Sequence, residues 1–126
     1  MTTAVAAGAS GRRALLVVVA IVVGIGALQA GWRQWSADRL GSRVAAVAKP
    51  GDIRMLASET CAYCAAATRW FDAHGVPYTS CVIERDAACA DEFARARGRG
   101  TPLMIVRGHR IEGYSQQEIA AALGAG

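Results

Sequence analysis

Charge is missing from residues 14–30 of this 126-residue chain, although charged residues make up 19% of the whole. A stretch that long cannot be a strand, and with no polar face it is not an ordinary solvated helix. Aromatic residues are also scarce, at 6%. The densest arginine group, Arg95, Arg97 and Arg99, has few aromatics interleaved, and the remaining arginines are scattered. The net charge of +4 therefore does not read as a nucleic-acid surface. Only one cysteine pair has C-x-x-C spacing, and His74 and His109 fit no ligand spacing, which argues against zinc. No internal repeat is visible, and no low-complexity segment beyond richness in alanine.

What is present divides the chain in order. Residues 1–13 are a short basic tail ending in Arg12-Arg13. Residues 14–32 form an apolar run inside the range of about 17–25 residues that a spanning helix needs. Trp32 and Trp35 follow, where rings favour a membrane interface. The run reads as a transmembrane helix or signal anchor. A cleaved signal peptide is the rival, but the site near Leu28-Gln29-Ala30 lacks a small residue three before the cut. A buried core helix is the third alternative. Residues 33–51 read as a linker or an extension of the helix, broken at Pro50-Gly51. The folded domain is then 52–126.

From Asp52 short strands alternate with helices. Ile53–Ala57 reads as a strand and Ala62–His74 as a helix, with Trp70 and Phe71 on its apolar face and Gly75 at its C-terminal cap. Residues 78–83 form a second strand. Asp86 caps a helix that runs to about residue 96. Leu103–Val106 is a third strand, Gly108-His109 turns into a fourth around Ile111, and Ser115 to Glu118 is a capping box opening a helix over 116–123. The result is an α/β domain of order β-α-β-α-β-β-α, with its first two strands parallel.

The chemistry gathers at Cys61-Ala62-Tyr63-Cys64. Two cysteines three apart at a helix start can close a disulfide or present a thiolate. Cys61 stands where unpaired N–H groups and the helix dipole favour negative charge, so it reads as the nucleophile. Cys64, one turn deeper, reads as the thiol that resolves a mixed disulfide. Tyr63 offers a ring to shield the pair, while Glu59 opposes thiolate formation if it is close. Thr101-Pro102 precedes the third strand, where a proline marks a special turn and is a candidate for a cis bond. Arg97 and Arg99 lead into that turn and can either be solvated or meet an anionic substrate.

The strand, the C-x-Tyr-C pair on a helix, the Gly-Arg-Gly-Thr-Pro stretch before a strand and the glycine turn into the last helix resemble glutaredoxin, over roughly residues 53–123. The resemblance implies a thioredoxin-like fold, with Cys61 as nucleophile, Cys64 as resolving thiol and a cis Pro102 packed against them. It also implies that backbone beside Thr101 and Pro102 binds substrate. The chain departs from the family at Ala62, where proline is usual. It departs again at Ser58, where a lysine usually meets a glutathione carboxylate, and at Glu112-Gly113, where paired glycines are usual. These departures weigh against glutathione as electron donor. The Gly-Thr-Pro turn also resembles periplasmic disulfide-exchange proteins.

Cys81 and Cys89 are close enough along the chain to pair. They read as a structural disulfide, as two buried thiols or as a second redox relay. Basic residues on both sides of the apolar run conflict over orientation: Arg33, Arg39, Arg43 and Lys49 favour a cytoplasmic domain. The short basic tail favours export. The expectation is a single-pass inner-membrane protein with its domain outside. The leading function is a dithiol oxidoreductase acting on protein disulfides or a redox partner protein, as a monomer and without a resident cofactor or metal. The alternatives are a redox-dependent assembly or metal-delivery factor without turnover, and a binding module with a merely structural disulfide.

Overall fold

The structure is a computed structural model that describes residues 8–126. Residues 1–7 of the basic tail lie outside the described part. The chain divides into two units, one ending at Ser36 and one running from Ala37 to Gly126.

The first unit is the outer part of a long helix, α1, Gly8–Val47. No Gly-Pro or Asn-Gly breaker interrupts the sequence before Lys49-Pro50, so the helix continues. From Leu15 to Leu28 its large apolar side chains stand about half exposed or more, on every side. Apolar residues all round a helix suit lipid rather than water. The stretch Ser10–Val47 is long and apolar enough to cross a membrane. At about 1.5 Å per residue, residues 14–32 alone measure about 28 Å, close to the thickness of a bilayer's hydrocarbon core. Trp32 and Trp35 pack together at their C-terminal end, with ring centroids 5.3 Å apart and the rings tilted.

The second unit is a four-stranded sheet in the order β2-β1-β3-β4. Its strands are β1 Ile53–Ala57, β2 Thr79–Val82, β3 Leu103–Val106 and β4 His109–Glu112. Its helices are α2 Ala62–His74, α3 Ala87–Arg95 and α4 Gln116–Ala122, together with the last turns of α1. β1 and β2 are parallel, while β3 runs antiparallel to both β1 and β4. The two-residue alternation of the strands sorts side chains into two cores. Ile53, Met55, Ala57, Met104 and Val106 face α2, α4 and the end of α1. Leu56 and Leu103 face α3 and pack with Cys89.

The helices begin as the sequence suggests. Asp86 Oδ1 accepts from the N–H groups of Ala88 and Cys89, and Ser115 Oγ accepts from Glu118 N–H. Gly75, at φ 66°, ends α2 in the left-handed region that glycine enters without penalty.

Segment 33–51 takes the second of its two expected forms, an extension of the helix. The helix persists to Val47, and Leu40 and Val44, one turn apart, enter the main core at 9% and 0% exposure. Pro50-Gly51 ends the helix, but packing of the domain starts a dozen residues earlier, at about Ala37. Two apolar residues at i and i+4 make a buried face that a turn signal cannot report.

Candidate active site

Cys61 is the N-cap residue of α2, with extended backbone at φ −128° and ψ 100°. Its Sγ accepts a hydrogen bond from Cys64 N–H at 3.1 Å. The residue therefore takes the place that Ser or Asp fills in other caps, and its sulfur sits against the positive end of the helix. Cys61 and Cys64 are joined in a disulfide, with Cα atoms 5.2 Å apart. The two are unequal in access: Cys61 is half-buried, whereas Cys64 is 6% exposed. Tyr63 points outward at 69% exposure, open to whatever docks there.

The loop that leads to Cys61 also meets the start of β3. The peptide between Thr101 and Pro102 is cis. β1 and β3 pair with Leu56 opposite Leu103, so two residues further on Ser58 comes opposite Thr101. Their hydroxyls hydrogen bond at 2.7 Å. This ties the loop that carries Cys61 to the proline turn. Pro102 O in turn accepts from Gly113 N–H at 2.8 Å, binding the turn to the residue that follows β4.

Glu59, two residues before Cys61, has an ion-pair partner. The Glu59 carboxylate accepts from Arg85 Nε at 2.6 Å, and that bond raises the arginine's pKa further above its usual value. The negative charge that would oppose a thiolate is thus partly neutralised. Arg99 reaches Glu112, and Arg110 binds both Glu112 and the carbonyl of Arg97, so two of the arginines around the proline turn hold the fold.

Cys81 and Cys89 form a second disulfide, with Cα atoms 6.0 Å apart, which links β2 to α3. Beside it lies Arg54, whose Nη2 donates to Cys81 Sγ at 3.3 Å and to Glu92 Oε2 at 2.9 Å. Sequence reasoning passed over Arg54. The signal was there, because a lone arginine in the apolar strand Ile-Arg-Met-Leu must face away from Ile53 and Met55. Among the described residues no group of three His, Cys, Asp or Glu side chains could hold a metal ion.

A thioredoxin-like sheet with a cysteine pair at the start of its first crossover helix and a cis-proline before its third strand defines the thiol–disulfide exchange class. Residues 53–111 match the family model for glutaredoxin. Among solved structures, a mutant of the thioredoxin-like protein BC3987 superposes with TM-score 0.55 at 18% identity, over 60% of this chain and 99% of that one. The glutaredoxin of Methanosarcina mazei Go1 superposes with TM-score 0.50 at 21% identity, over 59% of this chain and 79% of its own. Identities this low speak for the fold alone. None of the curated proteins matches the chain. The match supports thiol–disulfide redox chemistry in general.

Proposed function

We propose that this chain is a membrane-anchored oxidoreductase that exchanges its Cys61–Cys64 dithiol with protein disulfides. The observation that carries the reading is the union of both sulfurs in one disulfide at the first turn of α2. In the reduced protein the Cys61 thiolate inherits the N–H bond and the helix dipole. It attacks a substrate disulfide, forms a mixed disulfide and expels one substrate sulfur as thiolate. The Cys64 thiolate then attacks Cys61 Sγ, closes the protein disulfide and releases the second substrate thiol. Thr101 and Pro102 supply the backbone edge beside which the substrate lies, and exposed Tyr63 borders it.

Glutathione is not the donor in this reading. Ser58 spends its hydroxyl on Thr101 and offers no positive charge to a carboxylate. A partner dithiol protein is proposed instead. Residues 14–32 anchor the chain, with the domain outside the cytoplasm, where a disulfide such as Cys81–Cys89 persists.

Insulin-disulfide reduction tests the chemistry. Cys61→Ser should abolish it, and Cys64→Ser should accumulate a mixed disulfide on Cys61. Full activity in Cys61→Ser would overturn the assignment. A membrane-impermeant maleimide applied to intact, mildly reduced cells should label the domain, and labelling only after lysis would refute export.

A further inference from the structure

The Cys81–Cys89 disulfide takes no part in the exchange at Cys61. The two pairs belong to different cores: Cys61 and Cys64 to the one on the α2 side, Cys81 and Cys89 to the one under α3. The sheet separates them, so neither sulfur of one pair can attack the other within a molecule.

Two features set Cys81–Cys89 apart from an inert staple. The first is unequal access. Cys89 is completely buried, whereas Cys81 is half-buried on β2, a strand at the edge of the sheet. An approach to the bond therefore meets Cys81. The second is Arg54. Its guanidinium touches Cys81 Sγ and is held there by Glu92, which accepts from both Nε and Nη2. A cation against sulfur favours thiolate, although the Glu92 carboxylate offsets part of that charge. Cys89 lies in the first turn of α3, whose dipole also favours a leaving thiolate, while the carboxylate of Asp86 at the cap opposes it.

We propose that Cys81–Cys89 is a second thiol-exchange site, opened and closed by low-molecular-weight thiols through attack on Cys81. An incoming thiolate attacks Cys81 Sγ, forms a mixed disulfide and expels Cys89 as a thiolate, which takes a proton from water. A second thiolate attacks the external sulfur of that mixed disulfide. It releases a small-molecule disulfide and leaves Cys81 as a thiolate against Arg54. Two electrons pass from two thiols to the protein, and a small-molecule disulfide runs the sequence backwards. The site takes small thiols because Cys81 is only half exposed between β1, α3 and the edge of the sheet.

The test uses the full chain in detergent micelles with Cys61→Ser and Cys64→Ser, so that its outcome is independent of the first site. The protein is equilibrated in buffers of reduced and oxidised glutathione, quenched in acid, alkylated and mapped by peptide mass. The pair should open in millimolar reduced glutathione with the circular dichroism spectrum unchanged, and the adduct should sit on Cys81. Should the double variant not fold, the same mapping on the unsubstituted protein resolves the two pairs by peptide. In the further variant Cys89→Ser, Arg54→Met should slow iodoacetamide alkylation of Cys81 at pH 7 about tenfold, the equivalent of one pKa unit. Arg54→Lys should slow it less. A pair that stays closed until the spectrum is lost, an adduct on Cys89, or an alkylation rate that Arg54→Met leaves unchanged would each overturn the proposal.

Discussion

Ser58 shows how much a single side chain can carry at this site. In the sequence it is notable for what it replaces, a lysine usual in the resembling family. In the fold its hydroxyl is paired with Thr101, a residue 43 positions away. No local pattern reports a partner at that distance. Ser58→Ala would leave the half-buried Thr101 hydroxyl short of a partner and should cost about 1 kcal/mol in urea denaturation. An unchanged midpoint would mean that water replaces the bond fully. Cys61 was legible by contrast, because a residue before a helix of known start has only one set of N–H groups to meet. Tyr114 lies between these cases. Burial raises its phenol pKa, the hydrogen bond from Gln116 Nε2 lowers it, and burial prevails.

At the scale of elements, the docking of α1 on α2 is the feature that sequence reading underestimated. His74 read as a residue ending a helix. Its Nδ1–H donates to Trp70 O at 2.9 Å, its Nε2 lies 3.6 Å from Asp38 Oδ1, and its ring covers Gly41 of α1. A methyl group on Gly41 would collide with that ring. Gly41→Ala should therefore destabilise the domain by about 1–3 kcal/mol, the usual cost of overpacking. His74→Ala in the same chain should recover much of that loss, because it empties the space. Strictly additive effects in this double-mutant cycle would refute the contact. The strands and helices themselves followed from pattern and caps. β1 and β3 matched their expected bounds, whereas β2 is one residue shorter at each end than 78–83. Strand ends depend on which neighbour offers a ladder partner, and β2 has one neighbour only.

At the scale of the whole folded unit, Arg107 ties three chain segments together. It sits with Gly108 in the two-residue turn between β3 and β4, and both residues have positive φ, as a type I′ turn requires. Arginine at φ 47° carries a steric penalty that glycine would avoid. Its contacts offset that penalty. Its side chain donates to Val47 O at the end of α1, to Asp52 Oδ2 before β1 and to Leu123 O after α4. The Asp52 carboxyl is held below its ordinary value of 3.8, first by the Arg107 hydrogen bond and then by the backbone N–H of Lys49. A depressed carboxylate stabilises the fold above its unfolded pKa, and that contribution disappears as pH falls through the lower folded value. The loss should therefore begin as pH falls into the ordinary carboxylate range and be complete below the lower folded value, and Asp52→Asn should flatten that limb while lowering stability at neutral pH. An identical acid limb in wild type and variant would rule the clasp out as its source.

The sequence by itself determined the order of elements, the place of the Cys61–Cys64 pair at a helix start and the apolar run that suits a membrane. Each of these depends on local spacing: period two or 3.6, a cap residue, a stretch without charge. Tertiary structure alone decided that α1 continues into the domain core through Leu40 and Val44. It also decided that Ser58 meets Thr101 and that Arg54 lies against Cys81. Those contacts join residues far apart in the chain. They exist only because the strand register and the packing of helices on each face of the sheet bring them together.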